Sequence, residues 1–575
     1  MSGDLTAGID RAYEERTDFL VVALTGRTGS GCTTTANTLC KPYAEIAFSV
    51  DEQIEPEKRK IRIADDLLKK QWIPFKKITA STVIFSFLLD HDEEKITHFL
   101  TSSGIEEGVA IDLSSKIELI KRAQKFKAYQ KCIHENEYSK NPDGWDFFEG
   151  MLSPLADEAR HTLGTSYAPL FQSMGDNIRS SGSVISKSTD PSKIFSLIRR
   201  VKILAKAAFY SNQSRGKKST RVVIDAIRNP FELVYLRDQF AAFFAIAITA
   251  DDGQRRARLE QIGLEKRDIE SLDKKEYEAG KSLKTYANLV SQNIQECIQK
   301  SDIFLTNPGN PEDFAVSIRK LNAQIVRYVA LMLRPGLITP TRDERCMQLA
   351  FAAKLNSGCI SRQVGAAVAD ANYSVKSIGW NDVPAGQVPC LLRDADQLVR
   401  GGDASAFSSY ENTEAKFKAQ IDKHYKTRNE SLKKLGMPCP FCFKDAYNTI
   451  TDTENQVHTR ALHAEENAFL QLAKHGSSGI NGGVLYTTAS PCELCSKKAF
   501  QLGITEVIYV DPYPGISLTH VLRSGSEDKR PSLRLFSGSV GHAYHRLYEA
   551  ILPVKDEYNA RLKDTPTSPQ QPLIS

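Results

Sequence analysis

The chain has 575 residues, 41% of them hydrophobic and 25% charged, with 75 Lys and Arg against 70 Asp and Glu for a net charge of +5. This length calls for more than one domain, and the apolar content excludes a mainly disordered chain. An excess of +5 spread over such a length excludes recognition of nucleic acid by bulk charge.

The opening residues, MSGDLTAGIDRAYEERTDF, are polar and acidic and lack the apolar centre of an export signal. A strand is expected at residues 19–25 (FLVVALT), then a glycine-rich turn from Gly26 to Gly31 and a helix from about Thr33. Residues 55–139 read as mostly helical, interrupted by the β-branched run 78–85, and the Ser-rich stretch 180–193 reads as an exposed loop. Strands follow at 221–225, 244–249 and 303–306. The run from Phe240 to Ala250 is the longest apolar one, about half of a membrane span, and reads as a buried strand. Apolar strands alternating with helices indicate a parallel sheet covered on both faces.

An amphipathic helix at 311–333 stops at Arg334-Pro335-Gly336, which places a domain boundary there. Beyond it, a helix is expected at 341–355 with Cys346, Leu349, Ala350 and Ala353 on one face, then a strand pair at 364–369 and 375–378. Residues 385–437 are polar and read as an insertion, and strands resume at 484–488 and 507–510. The expected division is 1–335, 336–560 and a polar, Pro-containing tail at 561–575 read as disordered.

The chain has 11 cysteines, most of them single and in apolar surroundings, as buried hydrophobes would be. Two CxxC pairs, Cys439/Cys442 and Cys492/Cys495, read as metal ligands or redox groups in a chain expected in the cytoplasm. The strongest chemical pattern is His463-Ala464-Glu465 followed by Pro491-Cys492-Glu493-Leu494-Cys495. One imidazole and two thiolates are three zinc ligands, with a fourth tetrahedral position left open, as in a catalytic site. Cys492 and Cys495 are one helical turn apart behind a proline, near the positive end of a helix dipole that favours thiolates. Glu465 is two residues from His463, placed to face a metal-bound water without ligating the metal, and to take up its proton. A closed structural zinc site is the alternative, but it has no use for Glu465.

This pattern resembles the H-x-E, P-C-x-x-C signature of zinc-dependent nucleobase deaminases. The segments SRQVGAAVAD, IGWNDVPAG, LHAEENAF, LYTTASPCELC and VIYVDPYPG resemble the deoxycytidylate deaminase family across residues 341–514. That resemblance implies Zn2+ on His463, Cys492 and Cys495, Glu465 as the catalytic residue, Asn381 on the deoxyribose and Arg362 near the nucleotide. Asn381 also suits a plain turn in GWND. The same resemblance suggests a second, structural zinc among Cys359, Cys390, Cys439, Cys442 and His458, against the alternative of reduced, buried thiols.

In the N-terminal half, GRTGSGCT follows a strand and opens a helix, so Gly26, Gly29 and Gly31 are spaced to cradle phosphate, with Thr33 at the magnesium position. Cys32 stands where the lysine of such a loop belongs, which removes the point charge used in phosphoryl transfer. FQSMGDNIRS and VVIDAIRNPFE resemble the deoxynucleoside monophosphate kinase branch of P-loop proteins, which implies a metal or substrate role for Asp225. A nucleoside triphosphate with Mg2+ is therefore the expected ligand of a sensing domain, and an empty docking scaffold is the alternative.

The resulting fold class is α/β: an N-terminal P-loop, nucleotide-kinase-like parallel sheet domain and a C-terminal cytidine-deaminase-like α/β/α domain. The layout resembles bacterial antiphage dCTP deaminases with an N-terminal P-loop domain. It implies deamination of dCTP and dCMP, a homo-oligomer, and restraint by an RNA or protein regulator. Fused P-loop extensions also occur on fungal housekeeping deaminases. The competing readings are a nucleic-acid base deaminase and a P-loop switch or kinase with the deaminase half as sensor. Basic runs at 423–428 and 433–434 alternate with acids, as on a solvated helix face, which disfavours the first.

Overall fold

The computed structural model describes residues 2–50, 55–261, 263–278, 285–308, 314–476, 479–511 and 517–563. Two compact units emerge: residues 1–339 together with 542–575, and residues 340–541. Among the described residues, no helix is long and apolar enough to cross a membrane.

Within the first unit the strands are β1 (Phe19–Thr25), β2 (Lys76–Thr79), β3 (Thr220–Asp225), β4 (Ala242–Thr249) and β5 (Ile303–Thr306), in the order β5-β4-β1-β3-β2. All these pairings are parallel. The period-two alternation of a strand sends Val21 and Ala23 into one apolar core and Leu20, Val22 and Leu24 into the other. Both faces of β1 are thus buried, which is why that strand is apolar up to its final threonine. The chain crosses from one side of β1 to the other, so β1 is the switch point where open α/β sheets form their crevice.

Three expectations for this unit change. The β-branched run 78–85 is a short strand ending at Thr79 and then a helix, Ala80–Ser86, whose packing overrides local propensity. The Ser-rich stretch is a loop, but Val184 is fully buried in it and Asn177 donates to the Val184 carbonyl. Residues 542–560, expected in the second domain, group with the first unit. Their helix Gly541–Tyr548 places Ala543 and Leu547 in the core beside Tyr328 and Leu331, and Tyr13 donates to Glu557 at 2.9 Å. A helix Val554–Lys563 follows, and residues 564–575 of the expected tail lie outside the described residues.

The second unit is built on β6 (Gly365–Ala369), β7 (Val375–Trp380), β8 (Val484–Ala489), β9 (Glu506–Asp511) and β10 (Ser532–Leu535), ordered β10-β9-β8-β6-β7. β6 is antiparallel to β7 and β8, while β8, β9 and β10 are mutually parallel neighbours. The helix Arg342–Lys354 opens with a capping box from Thr341 and Glu344 and buries Cys346, Met347, Ala350 and Ala353. Leu349, expected on that face, is 43% exposed, and Met347 fills the face instead. The insertion has its own apolar core of Leu398, Phe407, Phe417, Ile421 and Phe441, and a buried Arg393–Glu411 ion pair.

Candidate functional site

Two helix starts and the end of one strand build the site in the second unit. His463 caps the helix Ala464–His475, and Cys492 caps the helix Glu493–Gln501, so both residues sit where backbone N–H groups are unsatisfied. Pro491 lies just before the cap, outside the helix. The helix Ala464–His475 packs on β6 and β7. Its close approach needs Gly379 on β7, where a Cβ would stand 2.2 Å from the Ala464 carbonyl oxygen and 2.4 Å from the Ala468 nitrogen.

That packing brings His463 Nδ1 to 3.2 Å from Cys492 Sγ and 3.5 Å from Cys495 Sγ. All three ligand atoms lie within 4.8 Å of one another. The three share protons unevenly. Hydrogen bonding from Cys495, opposed by burial and reinforced by His463, holds the Cys492 thiol down at about 3. Cys495 is pushed up by its bond to Cys492 and by burial, and the same thiolate raises His463. A partly buried thiolate framed by two further soft donors is a set that fits Zn2+ in place of those shared protons.

Glu465 is 4% exposed, and burial raises its carboxyl above the usual range against the opposing pull of its own backbone N–H and His463. Thr487 on β8 places its Oγ1 3.2 Å from Glu465 Oε1. Thr487 is absent from the sequence-derived site. Its signal is a polar pair, Thr487-Thr488, near the end of a fully buried strand.

Asn381 follows β7 and is buried, with Oδ1 accepting from the Val364 amide at 2.7 Å and its carbonyl accepting from Ser357 Oγ at 3.0 Å. Arg362 is half-buried, with Nη2 3.2 Å from Asp511 Oδ2 at the end of β9. The candidates for a second zinc are not gathered into such a set: among the described residues, the cluster of three or more metal-ligating groups is His463, Cys492 and Cys495. Arg460 Nη1 is 3.9 Å from Cys390 Sγ, Ser361 Oγ is 3.5 Å from Cys442 Sγ, and the His458 ring lies 4.4 Å from that of Tyr447. Cys439 is buried in the insertion core, and Cys359 is half-buried, its amide donating to Ser357 Oγ.

Residues 340–511 match the family model of the cytidine and deoxycytidylate deaminase zinc-binding region. The deoxycytidylate deaminase of Enterobacteria phage T4 is 28% identical over 180 residues, covering 29% of this chain and 76% of the phage protein. That of Schizosaccharomyces pombe is 26% identical over 241 residues, 40% of this chain and 59% of the yeast protein. The crystal structure of a dCMP deaminase from cyanophage S-TIM5 aligns with 35% of this chain and 100% of its own, at 22% identity and a TM-score of 0.20.

The deaminase match leaves the first unit's glycine loop unassigned. Gly26, Gly29 and Gly31 connect β1 to the helix Cys32–Leu39. Gly31 has φ +113°, a backbone that L side chains rarely adopt, with the Asn307 amide 2.7 Å from where a Cβ would stand. Thr33, in the first turn of that helix, lies near Asp225, the last residue of β3, whose carboxyl is raised by burial. Gly26, Gly29, Gly31 and Thr33 follow the carboxyl end of β1, and Asp225 closes the neighbouring β3. Burial pushes the Cys32 thiol up to about 12, so it stays neutral and supplies no charge in place of a lysine.

Proposed function

We propose that the second unit hydrolytically deaminates deoxycytidine nucleotides, converting dCMP, dCTP or both to the deoxyuridine nucleotide and ammonia. The observation that carries this reading is the convergence of His463, Cys492 and Cys495 beside a buried carboxylate, Glu465. The phage and yeast deoxycytidylate deaminases that the second unit resembles supply the substrate class.

In this reading His463, Cys492 and Cys495 would hold Zn2+, which would supply Lewis acidity to activate water. Glu465 accepts a proton from the attacking water and delivers one to N3 of the cytosine ring. The water oxygen adds to C4 as N3 takes up its proton; the remaining hydroxyl proton of the adduct then passes through Glu465 to the amino group, so that the C4 carbonyl forms as the C4–N bond breaks and ammonia leaves. Burial favours protonated Glu465, which suits a carboxyl that must hold a proton between the two transfers. Thr487 orients that carboxyl. Asn381 is a positioning group for the deoxyribose: its oxygen is engaged by Val364, which leaves the amide NH2 as the donor. Arg362 stands by Asp511 as a cation for the nucleotide.

The first unit acts in this proposal as a nucleotide-sensing domain, with the Gly26–Thr33 loop taking phosphate through backbone N–H groups and Thr33 with Asp225 at the position of Mg2+. Such a two-unit enzyme suits depletion of the cytosine deoxynucleotide pool during phage infection.

The deciding experiment follows ammonia release from dCMP, dCTP, CTP and a cytosine-containing oligonucleotide, for the full chain and Glu465→Ala. Turnover of dCMP or dCTP that disappears in the variant is the expected result. Turnover of the oligonucleotide alone, or full activity of the variant, would overturn it.

A further inference from the structure

The Thr28 amide lies in the loop region that would face a bound phosphate, yet a carboxylate of the same chain already engages it. Glu276, 1% exposed and near the end of the helix Lys266–Glu278, accepts from the Thr28 amide with Oε1 at 3.1 Å and Oε2 at 3.3 Å. The Thr28 hydroxyl also bonds Oε1. Arg228, three residues beyond the end of β3, places Nη1 3.1 Å from the same oxygen and Nη2 3.4 Å from Thr28 Oγ1. A backbone N–H, a hydroxyl and a guanidinium converging on two oxygens form a seat for an anion, and Arg228 brings to the loop the cation that Cys32 does not.

We propose that Thr28 and Arg228 form the seat for the terminal phosphate of a nucleoside triphosphate, and that Glu276 fills it until the nucleotide displaces it. The proposal rests on the reading that the Gly26–Thr33 loop binds nucleotide. The same helix is tied down by Asp273, one turn before Glu276, which pairs with Arg27 and Arg255 at 2.6 Å each. Arg255 in turn donates to the Thr28 carbonyl at 3.1 Å. Displacement of Glu276 removes one tie of the helix and gives the charge of Arg228 to the phosphates, while Arg27 and Arg255 keep Asp252 and Asp273 as partners. Nucleotide binding becomes an exchange of one anion for another, reported by the position of Lys266–Glu278.

The test titrates N-methylanthraniloyl-ATP with Mg2+ into the full chain, Glu276→Gln, Arg228→Gln and the double variant. Glu276→Gln is expected to bind about tenfold tighter than the unmodified chain, because the competing anion is gone and more of the chain is binding-competent. Arg228→Gln is expected to weaken binding about tenfold in either background. Equal affinity of the unmodified chain and Glu276→Gln, or no effect of Arg228→Gln, overturns the seat while the loop still binds nucleotide. No binding by any of the four removes the nucleotide reading itself, and the proposal with it. Hydrogen exchange of the unmodified chain is a readout independent of the variants' folding. Saturating N-methylanthraniloyl-ATP should speed exchange across Lys266–Glu278, and unchanged or slower exchange there overturns the displacement.

Discussion

Thr487 Oγ1 lies 3.2 Å from Glu465 Oε1 and 2.7 Å from the carbonyl oxygen of Ala489. A hydroxyl has one proton to donate, so when it bonds Ala489 it can still accept from a protonated Glu465, and when it turns to Glu465 it donates to the carboxylate. Thr487 thus suits both protonation states of the group it holds. Thr487→Val should lower kcat for dCMP by about 10-fold or more, the worth of one hydrogen bond to a charged group, with little change in KM. Thr487→Ser should restore most of it. Steady-state ammonia release separates these outcomes.

Metal content should divide the site residues into two groups. Cys495→Ser and His463→Ala remove donors from a three-residue set, so the purified variants should lose bound zinc and turnover together. Glu465→Gln leaves all three donors in place. It should keep its zinc by elemental analysis while turnover falls by about 100-fold or more, the usual worth of general acid–base catalysis. Zinc loss in Glu465→Gln would make that residue a ligand.

Asn381 can be dissected with two substitutions. Asn381→Asp retains an oxygen to accept from Val364 but loses the NH2 donor, so it should fold normally and raise KM for dCMP by about 10-fold. Asn381→Ala leaves the buried Val364 amide without that acceptor and should in addition lower stability by about 1–3 kcal/mol. Denaturant melts alongside kinetics would show the difference. An unchanged KM in Asn381→Asp would assign this residue to the turn alone.

Acid should erase one contribution to the stability of the insertion. Asp396 hydrogen-bonds Lys433 at 2.6 Å, Asn429 at 3.0 Å and Arg400 at 2.9 Å, tying the helix Ala395–Arg400 to the helix Ala415–Lys434. The Lys433 bond, against a smaller opposing burial effect, lowers its carboxyl below the usual range. A folded value below the unfolded one means that this stabilisation is complete above the ordinary aspartate range, about pH 4, and is lost as pH falls through the lowered folded value. Asp396→Asn should therefore melt below the unmodified protein at pH 7, by no more than about 1 kcal/mol because its partners Arg400 and Lys433 are solvent-exposed. The gap should close as the pH is lowered past 4, followed by thermal melts across a pH series.

The sequence by itself determined the elements whose cause is local. The parallel strands at 19–25 and 303–306 are legible because unbroken apolar runs bounded by turn residues have few other uses. The trio proposed to hold the metal is legible because His463 and the Cys492/Cys495 pair each start a helix, so short-range spacing already places their side chains. The tertiary structure decided what depends on partners distant in the chain. It put Thr487 against Glu465, turned Arg362 to Asp511, and kept the remaining cysteines from forming a second cluster among the described residues. It also carried residues 542–563 back to the first unit, since Ala543 and Leu547 find apolar cover there. The glycine loop shows the division most plainly. Its spacing announces a seat for an anion, but only the fold brings Glu276, 248 residues beyond Thr28, to occupy it. Spacing along a chain sets what each residue can do, and packing across the chain sets which partner it meets.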